Sequence, residues 1–190
     1  MKRSFHAMVM AAGLSVVALT GLAGCSGSGD EQSRPVNATG PAVAVQQQSA
    51  SNVIGDLKAR VADKPGDFEA VRSLADAYFE LKQFNEAIVY YKKALDLRPG
   101  DADIYTELGL CYHYTNNSRE AIRYLDEGIA KNPYHQRIWL TKGFVLAYGM
   151  GDLEAAKAAW EKANALNPES QIGKAAGDYL AMFKMKKNRK

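Results

Sequence analysis

Four prolines recur at a nearly constant interval and constrain the fold more than any other feature of the chain. They are Pro65, Pro99, Pro133 and Pro168, separated by 34, 34 and 35 residues. A period of this length is typical of stacked helical repeats, in which each unit packs mainly on its neighbours. The interval predicts an elongated, all-α scaffold that presents a binding surface, because such a scaffold has no chemistry of its own.

Other positions repeat in register with the prolines when Phe68, Ala102 and Gln136 are taken as the first residues of three units. Two helices approach closely where one offers a small residue opposite the other's bulk, so the alternation predicts a helical hairpin per unit. The recurring positions are Val71, Tyr105, Trp139; Ala75, Gly109, Gly143; Tyr78, Tyr112, Leu146; Ala87, Ala121, Ala156; Tyr91, Leu125, Trp160; and Ala94, Gly128, Ala163.

The helix ends are predicted from turn and capping residues. Pro-Gly-Asp at 65–67 and at 99–101 predicts a turn followed by an N-cap. Asn117 and Asp152 predict N-caps for second helices in the same way.

This pattern resembles the tetratricopeptide repeat, whose unit is about 34 residues long. The third unit departs from the family pattern, since Lys142 and Leu146 replace the usual Leu and Tyr, and one extra residue falls at 149–152. We expect a lengthened, glycine-rich turn to absorb that residue. The best match is the second unit, through Tyr105, Leu108, Gly109, Tyr112, Ala121, Leu125, Gly128 and Pro133.

The resemblance implies a right-handed α-solenoid of three tetratricopeptide hairpins with a capping helix at each end. Caps are needed because a terminal repeat would otherwise leave an apolar face in water. Apolar residues at helical spacing between Val53 and Val61 predict the first cap, and those from Ile172 to Met185 predict the second. The predicted segments are 52–64 for the first cap, 65–99, 100–133 and 134–168 for the units, and 169–190 for the second cap with a basic tail.

A second strong signal lies at the N-terminus, where Lys2 and Arg3 precede an apolar run from Phe5 to Ala23. A charged start, a short apolar segment and small residues are typical of an export signal. The run is about long enough to span a bilayer, so an uncleaved anchor is the alternative. Small residues within the run and the cysteine that ends it favour a cleaved signal over 1–24.

Leu22, Ala23 and Gly24 precede Cys25, and this sequence resembles the lipobox of bacterial lipoproteins. The resemblance implies cleavage before Cys25 and covalent attachment of diacylglycerol and palmitate to it, with a free cysteine as the alternative. Several acyl chains on one residue give stable membrane attachment. Ser26 in place of Asp resembles lipoproteins of the outer membrane, which implies a location there, facing the periplasm.

The segment 25–51 has Ser-Gly repeats, a glutamine tract and few large apolar residues, which predicts a disordered tether. Over 65–168 the chain has 12 basic and 15 acidic residues, whereas the extreme C-terminus is basic. That basic end is either a solvated helix terminus or a contact for an anionic lipid, polymer or protein. Export would separate the protein from nucleic acid, so no nucleic-acid partner is expected.

Candidate catalytic and metal-binding residues are few. Outside the signal, His113 and His135 are the two histidines, and no HExxH motif or cysteine pair is present. The acidic helix start around Asp103 would need ligands from elsewhere to hold a metal. Cys111 has no disulfide partner once Cys25 is acylated, and a small core residue is favoured over a reactive thiol. We therefore expect no enzyme activity, no metal and no cofactor.

In this repeat family the first helices line a concave inner wall, so the resemblance implies which side chains contact a partner. Carried onto this chain, the wall changes from charged residues in unit one to apolar and aromatic residues in unit three. Exposed apolar side chains suit a peptide, unless the C-terminal helix covers them with Tyr179, Leu180 and Phe183. The predicted partner-binding residues are Arg72, Asp76, Phe79, Asp103, Thr106, Leu110, His113, Arg137, Leu140, Thr141, Phe144 and Tyr148.

Some members of the family hold the C-terminal carboxylate of chaperones with Lys and Asn at set positions of this wall. Asp76 and Glu107 stand where that clamp needs Asn. Their charge would repel a carboxylate, so the resemblance implies a different partner.

The signal and the repeats together predict a lipid-anchored adaptor that recruits a protein in the cell envelope. Its layout resembles repeat lipoproteins of pilus and secretion assembly, and those that recruit peptidoglycan hydrolases. A second hypothesis is structural, with the apolar faces forming a dimeric spacer. A third is an enzyme or ligand carrier that uses His113.

Overall fold

A computed structural model describes the backbone of residues 41–187 and the side chains of residues 51–184. The signal peptide at 1–24, Cys25 and the tether up to residue 40 lie outside these residues, and what the sequence indicates for them stays a prediction. The described part contains eight α-helices and one π-helical turn. They are α1 (Pro41–Asp63), α2 (Phe68–Glu80), α3 (Phe84–Leu97), α4 (Ala102–Tyr114), α5 (Ser118–Lys131), α6 (Gln136–Val145), the π turn (Leu146–Met150), α7 (Leu153–Leu166) and α8 (Gln171–Lys187).

The helices pair as the repeat period predicts. Helices α2 and α3 form unit one, α4 and α5 form unit two, and α6 and α7 form unit three. The units stack in chain order, because α3 packs on α4, and both α4 and α5 pack on α6. Helix α1 covers unit one and α8 covers unit three, so the predicted all-α solenoid of three capped hairpins is confirmed.

Two of the three units begin with an aspartate cap. Asp67 Oδ1 accepts a hydrogen bond from the Ala70 amide at 3.1 Å, and Asp101 Oδ1 accepts from the Ile104 amide at 3.2 Å. Such caps satisfy amide groups that have no partner inside the helix. His135 stands at this place in unit three without a side-chain cap.

Among the second helices, α7 is capped as predicted, because Asp152 Oδ1 accepts from the Ala155 amide at 3.0 Å. In α5 the predicted N-cap position is confirmed, since Asn117 directly precedes the helix, but the capping hydrogen bond is missing. Asn117 makes no cap hydrogen bond, and its side-chain amide donates instead to the Thr115 carbonyl at 3.1 Å.

Glycines inside the hairpins leave room for large side chains of the paired helix. A Cβ atom added to Gly109 would lie 2.6 Å from Leu125 Cγ, closer than real side chains approach. A Cβ on Gly143 would collide with the indole of Trp160. Both pairs confirm the packing of small against large residues that the recurring positions predict.

Gly128 on α5 has the same role where unit two meets unit three. A Cβ there would lie 2.5 Å from Tyr105 Cβ and would also collide with Ile138 of the next unit. Tyr105 and Ile138 both belong to the core that runs through the stack. We call the three contact sites of Gly109, Gly128 and Gly143 the seam. The seam determines how closely the helices pack.

Helix α1 begins at Pro41, eleven residues before the predicted start at 52. Residues 41–51, which were predicted to belong to the tether, are therefore helical. Ile54 is buried, and Leu57 and Val61 pack against the core, as expected of a capping helix. Proline suits the start of a helix because its missing amide proton needs no partner there.

Lysine and tyrosine side chains repeat one contact along the stack. Lys58 Nζ of α1 lies 5.6 Å from the ring centre of Tyr78, and Lys92 Nζ of α3 lies 5.5 Å from that of Tyr112. Cations above aromatic rings are attracted by the ring quadrupole. Helix α1 thus contacts unit one as α3 contacts unit two, and it occupies the place of a preceding second helix.

The extra residue of unit three lies in the π turn, not in a lengthened loop as predicted. In unit one the turn after α2 closes with a hydrogen bond from the Gln83 amide to the Tyr78 carbonyl, at 2.9 Å. In unit three the Asp152 amide donates to the Leu146 carbonyl at 2.9 Å, across one residue more. The insertion is absorbed by wider winding of the last helical turn.

One residue in each hairpin turn has a positive φ. These are Lys82 at 59°, Asn116 at 61° and Gly151 at 71°. This left-handed conformation is favourable for glycine, tolerated by asparagine and strained for lysine. The three turns therefore share one geometry with different intrinsic costs.

Candidate peptide-binding face

The inner face is the surface that α2, α4, α6 and the π turn present away from the second helices, together with Phe84 at the start of α3. Ten of the twelve residues predicted to bind a partner are exposed or half-buried on it. Thr106 and Thr141 are the corrections, since both are buried. Thr106 is 0% exposed and its hydroxyl donates to the Ala102 carbonyl at 2.8 Å, because a helical threonine readily bonds the preceding turn.

Charge and apolarity divide the inner face differently from the prediction. Most of the charged residues that contact one another lie in the N-terminal half of the first helices or at the cap before α4. Aromatic residues lie towards the C-terminal ends of these helices and at the start of α3. The predicted change from a charged first unit to an apolar third unit is therefore not observed. Instead, charged and aromatic side chains occupy different ends of the first helices. We call the charged part the acid patch, formed by Arg72, Asp76, Asp101, Asp103, Glu107 and Arg137, and the rest the aromatic strip, formed by Phe79, Phe84, His113, Tyr114, Phe144 and Tyr148.

The acid patch joins the three units through two arginines. Arg72 of unit one lies 3.9 Å from the carboxylates of both Asp76 and Asp101. Arg137 of unit three lies 3.7 Å from Asp103 and forms an ion pair with Glu107, both of unit two. Each arginine therefore links adjacent first helices through their side chains.

Tyr91 reaches the acid patch from the second helix of unit one. Its ring is buried, and its hydroxyl donates a 2.8 Å hydrogen bond to Asp76 Oδ1. Burial raises the pKa of Asp76, while the bond from Tyr91 and the charge of Arg72 act in the opposite direction. Burial and the nearby carboxylates also raise the pKa of the Tyr91 hydroxyl, which keeps it a donor.

The carboxylates of Glu107 and Asp103 differ in their surroundings. The Glu107 side chain is 14% exposed, and burial raises its pKa against the opposing charge of Arg137. The negative charges of Asp76 and Asp103 raise that pKa further. Asp103 accepts a 3.1 Å hydrogen bond from His135 Nε2, and this bond lowers the pKa of Asp103.

The aromatic strip is a chain of ring contacts across all three units. Phe79 and Tyr114 both contact Phe84, with ring centres 5.5 Å and 4.8 Å apart. His113 continues the chain to Phe144 at 5.2 Å. The last contact, at 5.0 Å, joins Phe144 to Tyr148, whose side chain is exposed.

Helix α8 covers one edge of this face and leaves the strip accessible. Tyr179 of α8 stacks on Trp160 of α7, with ring centres 4.8 Å apart. Leu140 packs with Leu180 against the same small core, so the predicted lid holds for Leu140. It does not hold for Tyr148, which remains 59% exposed.

The predicted site lacked several residues that the fold brings to the inner face. Tyr91 and Phe84 belong to second helices, and the large residue at the position of Tyr91 was assigned to the core. Glu107 and Tyr114 occupy wall positions without being among the twelve chosen residues. These residues contribute to the inner face through contacts between units. The pattern of one repeat gives no information about such contacts.

The remaining candidate chemistry is accounted for by packing. Cys111 is buried, and burial raises the pKa of its thiol, which makes it unreactive. Burial lowers the pKa of His113, whose Nδ1 lies 3.3 Å from the Ser118 hydroxyl oxygen. Among the residues described, no group of three or more metal-ligating side chains could hold a metal ion. None of the described helices is long and apolar enough to cross a bilayer.

Two family models match the hairpin region. A model of the TPR repeat matches residues 75–115, and a model of the tetratricopeptide repeat matches 102–135 and 136–170. The chain contains tetratricopeptide repeats. The second model matches units two and three, and the first matches the last part of α2 together with α3 and α4.

The chain is also similar to a curated protein with the same kind of repeat. It is 28% identical over 94 residues to the heat shock protein sti1 homolog of Schizosaccharomyces pombe. The match covers 50% of this chain and 16% of that protein, so the likeness concerns the repeats alone.

Solved tetratricopeptide structures superpose on the stack. MamA has a TM-score of 0.60 at 20% identity, over 80% of this chain and 96% of that one. The translocator chaperone SycD of Yersinia enterocolitica has a TM-score of 0.59 at 20% identity, over 63% and 93%. The first repeat domain of Spaghetti (RPAP3), bound to an HSP90 peptide, has a TM-score of 0.56 at 20% identity, over 63% and 91%. At these identities the likeness establishes the fold.

Proposed function

We propose that this protein is a lipid-anchored adaptor of the bacterial cell envelope, which binds a peptide segment of a partner protein on its inner face. The observation that carries the proposal is the continuous aromatic strip, which spans three units and ends at the exposed Tyr148. The other rings of the strip are half-buried, so each presents part of its surface to solvent. Accessible aromatic surface grouped in this way is typical of sites that bury a partner's apolar residues.

Proteins of similar fold support a peptide as the ligand. SycD has been solved with a peptide of the translocator YopD, PcrH with the chaperone-binding region of PopD, and Spaghetti with the HSP90 peptide SRMEEVD. We propose that this chain also binds a peptide, but not that it binds the peptides of these proteins. The acidic groups of Asp76 and Glu107 disfavour an acidic peptide such as the last.

The lipobox at 22–25 supports the membrane half of the proposal. An acylated Cys25 would hold the repeats at the outer membrane, facing the periplasm, where a recruited protein could join the assembly of a pilus or secretion apparatus. The proposal assigns the protein no catalytic role, because the inner face offers packed carboxylates, arginines and rings with no arranged nucleophile and base.

Photo-crosslinking on living cells tests the inner-face contact. A photoreactive amino acid at Tyr148 should capture a specific partner, whereas the same substitution at Tyr134 should capture none. Tyr134 is a matched control, because it is a tyrosine that is 77% exposed in the turn before α6. Equal products from both positions would contradict the proposal, and products of exactly twice the chain mass would replace it with a dimeric spacer.

The anchor is tested separately. Mass spectrometry of the mature protein should find Cys25 acylated at the new N-terminus, and Cys25→Ala should release the protein from the membrane fraction. An unmodified Cys25 would remove the anchor from the proposal and leave the peptide-binding face to be judged on the crosslinks.

A further inference from the structure

The acid patch carries more negative than positive charge. Its four carboxylates, Asp76, Asp101, Asp103 and Glu107, face the two guanidinium groups of Arg72 and Arg137. Two of the carboxylates remain open to solvent, since the side chains of Asp76 and Asp103 are 50% and 43% exposed. The patch therefore has unneutralised charge that a ligand can reach.

The carboxylates also repel one another across the gap between α2 and α4. Burial first, and then the charges of Asp76 and Asp103, raise the pKa of Glu107 even though Arg137 is paired with it. A cationic group bound beside these carboxylates would relieve that repulsion. An anionic group would increase it.

The aromatic strip lies beside the patch at a distance set by helix geometry. Glu107 and Tyr114 are seven residues apart on α4, and Arg137 and Phe144 are seven apart on α6. Two helical turns separate each pair, which corresponds to about 10 Å along the helix. The ring faces of the strip suit aromatic and large apolar side chains.

From this juxtaposition we infer that the partner segment carries a Lys or Arg side chain and an aromatic or large apolar side chain about 10 Å apart. The cation binds between Asp76 and Glu107, and the apolar side chain packs on the strip, which passes Tyr114 two helical turns from Glu107 and ends at Tyr148. In an extended peptide this distance corresponds to about three residues, and in a helical one to about seven. The inference rests on the proposed function, because it specifies the ligand of the same face.

The experiment is a selection of random display peptides on the purified full chain, followed by fluorescence anisotropy with the selected sequences. The expected peptides combine a basic residue with an aromatic or large apolar residue at one of these two spacings. Their affinity should fall steeply as salt rises, because the charges at the patch become screened.

Two isosteric substitutions test the cation site. Asp76→Asn with Glu107→Gln should weaken the binding of the selected peptides at least about tenfold, because the negative charges that face the peptide's cation are removed. Asp96→Asn is the matched control, because Asp96 is an exposed carboxylate on α3, and it should leave affinity unchanged. Circular dichroism verifies that each variant keeps its helices, and Asp76→Asn alone is the milder variant if the double change unfolds the protein.

The outcomes separate this inference from the proposed function. Peptides that need Tyr148 but are neutral or acidic would overturn the inference and leave the function standing. Peptides whose binding is unchanged by Tyr148→Ala would overturn both. If deletion of residues 184–190 tightens binding about tenfold or more, the patch holds the chain's own basic end, and the inference about a partner is wrong.

Discussion

The seam and the inner face both involve the first helices, yet they differ in how much change they tolerate. At the seam, Gly128 has no space for one added carbon atom beside Tyr105. On the inner face, Tyr148 is 59% exposed and meets one neighbouring ring. Packing therefore determines the stack, whereas the inner face is free to be specialised for a ligand.

The largest expected effect is at the seam. Gly128→Ala should lower the free energy of unfolding by about 3 kcal/mol, because the added methyl group meets the Tyr105 backbone-proximal carbon and Ile138. Chemical denaturation measures the change. Gly55→Ala is the control, since a Cβ there has nothing within 4 Å, and it should raise stability by up to about 1 kcal/mol. Equal effects at both positions would contradict the steric account of the seam.

The half-buried ion pair between Arg137 and Glu107 comes next. Arg137→Met should lower stability at pH 7 by about 2 kcal/mol, because Glu107 loses its cation while remaining largely buried. Without that cation the pKa of Glu107 rises further above its ordinary value of 4.5.

When the pKa of Glu107 is higher in the folded state than in the unfolded state, its ionised form destabilises the fold at high pH. This loss of stability disappears once Glu107 is protonated. The melting temperatures of the variant and the wild type should therefore converge as pH falls from 7 towards 5. A difference that stays constant over this range would show that Arg137 acts through packing of its aliphatic chain instead.

A smaller effect is expected in the hairpin turns. Lys82→Gly should raise stability by about 0.5 kcal/mol, because glycine adopts a φ of 59° without strain. Gly151→Ala should do the reverse and cost about 1 kcal/mol at its φ of 71°. Thermal unfolding of the two variants tests whether the turns share one geometry, and a loss of stability in both would contradict it.

The smallest effect on stability is expected at the exposed end of the aromatic strip. Tyr148→Ala should change the free energy of unfolding by less than about 0.5 kcal/mol while abolishing peptide binding. Denaturation and anisotropy on the same sample make the comparison direct. A large loss of stability would place Tyr148 with the seam and weaken its assignment to a ligand.

The fold was predictable from the sequence where steric demands recur in every unit. Gly109 and Gly143 stand at the same position of successive hairpins, and both turned out to face a large residue of the paired helix. The start of α1 at Pro41 was missed, because Ser-Gly repeats and a glutamine tract nearby indicate disorder by composition. The π turn was missed since one inserted residue can be absorbed in a loop or in a helix.

The site was less predictable, because its contacts join units that are distant in sequence. Arg137 meets Glu107 thirty residues away, and nothing in either unit alone selects that pair. Thr106 occupies an inner-wall position of the family yet bonds back to its own helix. Family positions indicate which helix side faces a ligand, whereas the side chains available there depend on their neighbours.

The π turn has a consequence for engineering the molecule. The hydrogen bond from the Asp152 amide to the Leu146 carbonyl encloses one residue more than the corresponding bond of unit one. Despite this extra residue, α7 still starts with its own aspartate cap and packs on α6. Changes in chain length after Met150, which is exposed, should therefore stay local and leave the helices on either side in place. A short tag or fluorescent label inserted at that point would report on the protein without disturbing its scaffold.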